Sequence, residues 1–387
     1  VLGRWHFFRS TALAGAAQRA ELARALTFLA PLAGDPAVLP DPLRPLLGPT
    51  ADATAQDQAG TDLLRAAFRT PDPHLADAGI TLLAAAVAAT ADDDPRAGAR
   101  MAMLIVGHQW RYQRTHRADD LERTIETGDR AMRVLGADHP EFAGILSNLG
   151  VAHRARYTRT GAMPDLTRSI ELTATALAAH SADDPRRAVC LSNLSDGYRD
   201  RSGRTGDLAD LAAAVDCAEQ ALACTPAGHP DHAGYLARVG AVCFRRYERL
   251  GDVADLRRAI EFEERAQTAD PGLHRPPAHL CVMYRERYQR FGDVADLRRA
   301  LESGERALAM LPEGDVRRAV PASMLNLACR HLYEATEDLA HLRRAIGYGR
   351  LAVATYPAGS PDRASALGNL SPALQRLYEH TGLLSDL

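Results

Sequence analysis

The feature that most constrains this chain is a repeat of nearly fixed period. The stretch RLGDVADLRRAIE (Arg249 to Glu261) returns as RFGDVADLRRALE (Arg290 to Glu302), 41 residues later. Anchoring on the tyrosine before each such turn gives Tyr112, Tyr157, Ser202 as a degenerate member, Tyr247, Tyr288, Tyr333 and Tyr378, spaced by 45, 45, 45, 41, 45 and 45 residues. Seventeen residues ahead of these anchors stand Pro95, Pro140, Pro185, Pro230, Pro271, Val316 and Pro361. Behind them come Leu121, Leu166, Leu211, Leu256, Leu297 and Leu342, and four residues further Ile125, Ile170, Val215, Ile260, Leu301 and Ile346. Leucine and a second aliphatic at i and i+4 mark one face of a helix. Each unit therefore reads as a proline at a helix start, a first helix of 18 to 20 residues ending near the anchor, a turn, and a second helix. A chain written this way builds its core sideways from unit to unit, so its 387 residues say little about domain count.

The punctuation agrees with helical hairpins. Gly161, Gly206, Gly251 and Gly292 suit the left-handed residue that ends a helix, and the aspartates after them suit N-cap and first-turn positions. The 41-residue unit loses its four residues between Ala266 and Pro271, in the connection to the next unit, where deletions are tolerated. Residues 1–60 differ in kind. Leu22, Leu26 and Leu29 form one helical face and Trp5 with Phe8 another, before Pro31, Pro36, Pro40, Pro42, Pro45 and Pro49 end regular structure. The expected organisation is a helical cap and Pro-rich extended connector over residues 1–60, a degenerate first hairpin over 61–94, and the repeat array over 95–387.

Gly144 to His153 (GILSNLGVAH) and Arg187 to Tyr198 (RAVCLSNLSDGY) resemble the NLGxxY core of the tetratricopeptide repeat, and the alanines and aliphatics of the second helices resemble its AI and AL pattern. The resemblance covers residues 95–387, although the unit is 45 residues long rather than that family's 34. It implies an all-α, right-handed superhelical solenoid of antiparallel helix pairs that binds protein segments on its concave face. The turn GDLADL (Gly206 to Leu211), the loop HPD (His229 to Asp231) and the opening LGRWHFFRSTAL more narrowly resemble the repeat regions of actinobacterial proteins that end in a caspase-like CHAT protease domain.

Composition narrows the partners. All 46 basic residues are arginine, and with 49 acidic residues the formal charge is −3, so no global basic field recommends nucleic acid or an anionic membrane. The abundance of arginine and alanine reads first as coding bias. No apolar run approaches the roughly 18 to 20 residues of a membrane span, and no secretory signal pattern opens the chain, which gives a cytoplasmic expectation. Cysteines 190, 217, 224, 243, 281 and 329 show neither a CxxC pair nor zinc spacing.

Candidate sites follow the register. Cys243 and Cys329 share a repeat position with His108, His153, Tyr198, Tyr284 and Leu374, one residue per unit, which suits core packing better than a convergent Cys–His pair. His229, Asp231 and His232 put histidines beside acids, in a slot that elsewhere asks only for a polar loop residue. Two arginine rows stand at fixed register: Arg111, Arg156, Arg201, Arg246 and Arg287 just before the anchor, and Arg114, Arg159, Arg204, Arg249 and Arg290 two residues after it. They suit helix C-termini and pairing with the turn acids Asp165, Asp210, Asp255 and Asp296, with anion or nucleic-acid binding along the rows as the alternative. The concave face implied by the family's geometry falls on Ser147, Asn148, Val151, Arg154, Ser192, Asn193, Asp196, Arg199, Phe244, Arg285 and Arg330.

The sequence thus predicts a non-catalytic protein-binding or peptide-binding scaffold, the regulatory repeat region of a larger bacterial signalling or protease protein. It calls for no cofactor and no metal. The competing readings are the arginine-row binder and a helical enzyme with a pocket inside the superhelix. Tyr378 to Leu387 reads as an anchor, a turn and the opening of a second helix, so further repeats or domains beyond Leu387 are expected, with Leu370, Leu374 and Leu377 left as an uncovered apolar flank.

Overall fold

The computed structural model describes the chain except residues 33–37, 49–50, 71, 274 and 383–387. The expected second-helix opening at the C-terminus, with Pro36 and Pro49 of the connector, lies outside the described residues. The described residues are helical and contain no strand. They form two compact units, Val1–Arg201 and Ser202–Leu387.

The first unit opens with α1 (Leu2–Thr11) against α2 (Gly15–Leu29), followed by the short α3 (Arg44–Leu47). Three hairpins follow in order, α4 (Ala53–Arg69) with α5 (Pro73–Ala89), α6 (Ala97–Thr115) with α7 (Ala118–Val134), and α8 (Phe142–Thr160) with α9 (Met163–Ala179). Helix α10 (Arg186–Thr205) contains the division. In the second unit come α11 (Leu208–Ala223), then the hairpins α12 (His232–Leu250) with α13 (Val253–Ala269), α14 (Arg275–Phe291) with α15 (Val294–Ala309), and α16 (Ala319–Thr336) with α17 (Leu339–Thr355). Helix α18 (Pro361–Thr381) packs on both α16 and α17.

Within each unit every second helix also packs on the first helix of the next repeat, so one apolar face serves two neighbours. The leucine that opens each second helix is almost fully buried, as Leu121, Leu166, Leu211, Leu256, Leu297 and Leu342, and so is the aliphatic residue four positions on. A third slot, ten residues after each leucine, is always alanine: Ala131, Ala176, Ala221, Ala266, Ala307 and Ala352 are all buried. Coding bias alone does not explain alanine at this position, since a larger side chain would push the facing helix away.

A neighbouring slot, seven residues after each leucine, shows how tightly the second helices pack, on the next first helix as well as within their own hairpin. A Cβ on Gly128 would stand 2.9 Å from Leu149 Cδ1, and one on Gly304 would stand 2.7 Å from Leu325 Cδ2. In the α12–α13 hairpin the slot holds Glu263, fully buried, and the facing residue is Gly240, whose added Cβ would meet Glu263 Cγ at 2.7 Å.

The turns are built by two devices. Gly161, Gly206, Gly251 and Gly292 take positive φ of 69° to 77°, while His116 and Glu337 accept the same left-handed position at φ 53° and 58°. In the second unit Asp207, Asp252, Asp293 and Asp338 cap their helices by accepting the backbone N–H two residues on, at 2.8 or 2.9 Å.

Three expectations need correction. The Pro-rich connector is not extended: Leu39, Leu43 and Leu47 are buried and residues 41–47 form helical turns, because apolar residues between the prolines need cover. The first hairpin begins at Ala53, not residue 61, since Asp52 caps α4 through Thr54 and Ala55. The apolar flank expected to be uncovered on α18 is instead closed by the chain itself. Leu370 and Leu377 are buried and Leu374 half-buried, in a core shared with Leu325, Leu342 and Ile346.

The alanine slot generates a direct test. Ala176→Leu is expected to lower stability by about 1–3 kcal/mol through overpacking, measured by denaturant titration, whereas leucine at the exposed Ala178 position should leave the midpoint within about 0.5 kcal/mol.

Candidate functional site

The pre-anchor arginines lie at the C-terminal ends of first helices, nine residues ahead of an aspartate in the first turn of the paired second helix. Burial of that aspartate follows from its place one residue before the core leucine. Arg111 Nε stands 3.0 and 3.1 Å from the two Asp120 carboxylate oxygens, with Nη2 at 2.5 Å from Oδ1. Arg156 repeats this on Asp165 at 3.1, 3.0 and 2.6 Å. In the second unit Arg246 holds Asp255 at 2.8 and 2.5 Å, and Arg287 holds Asp296 through the same two nitrogens. These are forked, charge-assisted clamps that tie the two helices of a hairpin across the turn.

In the first unit a histidine completes each clamp. His108 Nδ1 lies 2.9 Å from Asp120 Oδ1 and His153 Nδ1 lies 2.9 Å from Asp165 Oδ1. Arg111 and Arg156 also reach back to the preceding hairpin, to Asp77 at 2.6 Å and Glu122 at 2.9 Å. Burial alone would raise the pKa of Asp120, but hydrogen bonds from His108 and Arg111 outweigh it and hold the carboxyl below the usual range. Asp165 is lowered against its own burial by Arg156 and His153 in the same way. The residues flagged in the sequence as a shared position, His108, His153 and Cys243, thus face the turn aspartate of their own hairpin or the core around it. The post-anchor row differs: Arg114, Arg159, Arg204, Arg249 and Arg290 are exposed in the last turns of their helices.

The residues assigned to the binding face divide by depth. Ser147, Ser192 and Asp196 are buried, while Asn148, Val151, Arg154, Asn193, Arg199, Phe244, Arg285 and Arg330 are half-buried on consecutive first helices. In the first unit this face is internally paired. Arg154 donates to Asp196 and Asp200, both at 2.9 Å, and Arg199 reaches the same two aspartates at 3.1 and 3.0 Å. In the second unit Arg285 donates to its neighbour Glu286 at 2.6 Å, and Arg330 Nε comes no closer than 3.7 Å to Glu334.

Several chemical possibilities find little support in the geometry. Burial pushes the thiols of Cys243 up to about 11 and of Cys281 and Cys329 up to about 12, so none is a thiolate nucleophile at neutral pH. Among the described residues no three His, Cys, Asp or Glu side chains converge as metal ligands, and no helix is long and apolar enough to cross a membrane. A cavity of about 230 Å³ beside Trp110 is walled by Pro73, Arg114 and Arg117, with the Arg114 guanidinium 3.8 Å from the indole centroid. One of about 440 Å³ is lined by Glu264, Tyr284, Arg299 and Glu302, where burial and then the bond to Glu264 raise the Tyr284 pKa.

One site residue escaped the sequence reading. Glu263 occupies a position that is Gly, Ala or Thr in the other repeats, its pKa is raised by burial, and its Oε1 lies 2.6 Å from His279 Nδ1 while Oε2 has no hydrogen-bond partner among the described residues. The signal was present as an acid breaking a small-residue column opposite Gly240.

No protein-family model matches the chain, and no curated protein matches it. Similarity appears among solved structures. A human IFIT1 dimer with m7Gppp-AAAA superposes with a TM-score of 0.53 at 15% identity, over 95% of this chain and 73% of that one. Pseudomonas aeruginosa PilF aligns at 16% identity over 72% of this chain and 98% of that one, with a TM-score of 0.48. The likeness establishes the fold: an all-α, TPR-like array of helical hairpins.

The clamp yields a pH-dependent prediction. A carboxyl lowered on folding contributes stability that is present above its unfolded pKa and is lost as pH falls through its folded value. Asp165→Asn is therefore expected to cost about 3 kcal/mol at pH 7 and to show a smaller loss of stability on acidification below about pH 4 than the parent chain, both read from urea midpoints.

Proposed function

We propose that the chain is a non-catalytic repeat module that captures an extended segment of a partner protein on the exposed strip of its first helices. The observation that carries this reading is the strip itself. At one register of successive first helices the side chains are large and half-buried, Arg154 and Arg199 in the first unit and Phe244, Arg285 and Arg330 in the second, while the second helices spend their apolar faces on packing. Half-buried arginine and aromatic side chains beside amides such as Asn148 and Asn193 suit backbone and side-chain recognition of a peptide better than a closed small-molecule pocket.

The fold supports a scaffold, since helical repeats present long surfaces assembled from equivalent positions. The narrower reading, a regulatory arm of a larger bacterial signalling or CHAT-protease protein, rests on the turn and loop motifs at Gly206 to Leu211 and His229 to Asp231. A second reading draws on the exposed post-anchor arginines: nucleic acid bound along Arg114 and Arg159, or along Arg249 and Arg290. The IFIT1 neighbour carries m7Gppp-AAAA, and binding of that kind weakens steeply with salt.

Peptide-display selection on the immobilised chain tests the capture reading. Selected peptides are expected to bind about tenfold or more weakly to Phe244→Ala, and equally well to Arg257→Ala, whose side chain is exposed on a second helix. Equal binding to Phe244→Ala and the parent, or selection of no peptide, contradicts the reading.

A further inference from the structure

The two units treat the same arginine position differently. Arg154 is held by carboxylates 42 and 46 residues further on, Asp196 and Asp200, both supplied by the next first helix. The residues at those two offsets from Arg285 are Leu327 and His331, and from Arg330 they are Pro372 and Arg376. Both carboxylate seats are therefore missing for both arginines of the second unit.

What remains around them does not replace those seats. Among the described residues Arg285 has one acid, its sequence neighbour Glu286, and its covered Nε has no hydrogen-bond partner. Arg330 makes no hydrogen bond among the described residues, and its covered Nε stands 3.7 Å from Glu334 Oε1, on a side chain more than half exposed. Arg376, on the following first helix, is itself exposed and reaches Glu379 at 3.3 Å. Among the described residues His331 Nδ1 has no hydrogen-bond partner; burial lowers its pKa, the Glu334 carboxylate opposes this, and the charges of Arg330 and Arg285 lower it further, so both guanidinium groups lie within electrostatic reach of one imidazole. Guanidinium groups this far from bulk water gain most from a bidentate carboxylate, and Glu286 and Glu334, although each lies beside one arginine, do not supply that geometry.

We propose that the first-helix face of the second unit, centred on Arg285 and Arg330, docks an acidic segment of a partner protein, whose Asp or Glu side chains take the seats that Asp196 and Asp200 fill in the first unit. This deepens the capture reading and rests on it. The first unit supplies its own carboxylates and is closed to such a ligand, so the two units differ in what they select. The chain itself shows the docked geometry, because Arg154 between two aspartates is the bound state in cis.

The test uses the full chain and a fluorescein-labelled peptide of alternating glutamate and serine, about ten residues long, acetylated and amidated so that no terminal carboxylate contributes. A glutamine-for-glutamate version is the neutral control. Anisotropy is expected to show binding of the acidic peptide alone, weakening several-fold between about 50 and 200 mM salt. Arg330→Gln should weaken it about tenfold, and Arg257→Gln should not. His331→Asp, which restores one missing carboxylate, should abolish binding while leaving the melting temperature unchanged or raised, so its loss is not a loss of fold. Preference for a free C-terminus in place of acidic side chains, equal binding of the neutral peptide, or undiminished binding to His331→Asp overturns the proposal. Failure of the acidic peptide while neutral display-selected peptides still depend on Phe244 overturns this inference and leaves the capture reading standing.

Discussion

From α7 to α17 each second helix carries a buried leucine, an aliphatic residue and an alanine at fixed register, and the closure of neighbouring helices onto that face is the contact on which the array depends. The alanine sets how near the helices approach, and the leucine and aliphatic fill the space that this approach leaves. A helix with so narrow an apolar stripe cannot be buried by one partner alone. It packs on its own first helix and on the next one, and a nearest-neighbour chain of interfaces results. Where it occurs, the Arg–Asp clamp then fixes the orientation of the turn. It is a poor source of net stability, because both ions must leave water, yet it is costly to break from one side.

The clamp also explains variation among repeats. In the α16–α17 hairpin the arginine and the aspartate are both absent, replaced by Leu332, which is fully buried, and His341. Losing both partners together avoids an uncompensated buried charge, and the apolar replacement fills the volume. The α12–α13 hairpin accommodates Glu263 by a matched change, glycine at position 240. Substitution inside this array is thus constrained in pairs across a hairpin, while the exposed ends of the first helices and the post-anchor arginines are free of that constraint and are where recognition can differ between units.

Much of the fold was legible because its grammar is local and repeated. The leucine and aliphatic columns, the turn glycines and the turn aspartates are each set by one helix period or one turn geometry, and recurrence at 45 residues separates them from chance. Residues 1–60 were read less well. Leu39, Leu43 and Leu47 stand four residues apart, a helical spacing, but Pro40, Pro42 and Pro45 interrupt it, so the local pattern pointed to an end of regular structure. The site was legible as a register but not as a set of partners. Arg154 and Arg285 look alike in sequence, and only packing of successive first helices shows that one meets two aspartates and the other a leucine and a histidine.

If nearest-neighbour closure is what holds the array together, the unit of removal is the whole 45-residue period. Joining Gly206 to Asp252 deletes residues 207–251 and preserves the turn, the cap and both helix registers. Circular dichroism of that variant is predicted to show unchanged helicity per residue and a single cooperative melt, while deletion of residues 207–240, which breaks the period, collapses both. Loss of helicity and cooperativity in the 45-residue deletion would contradict the account.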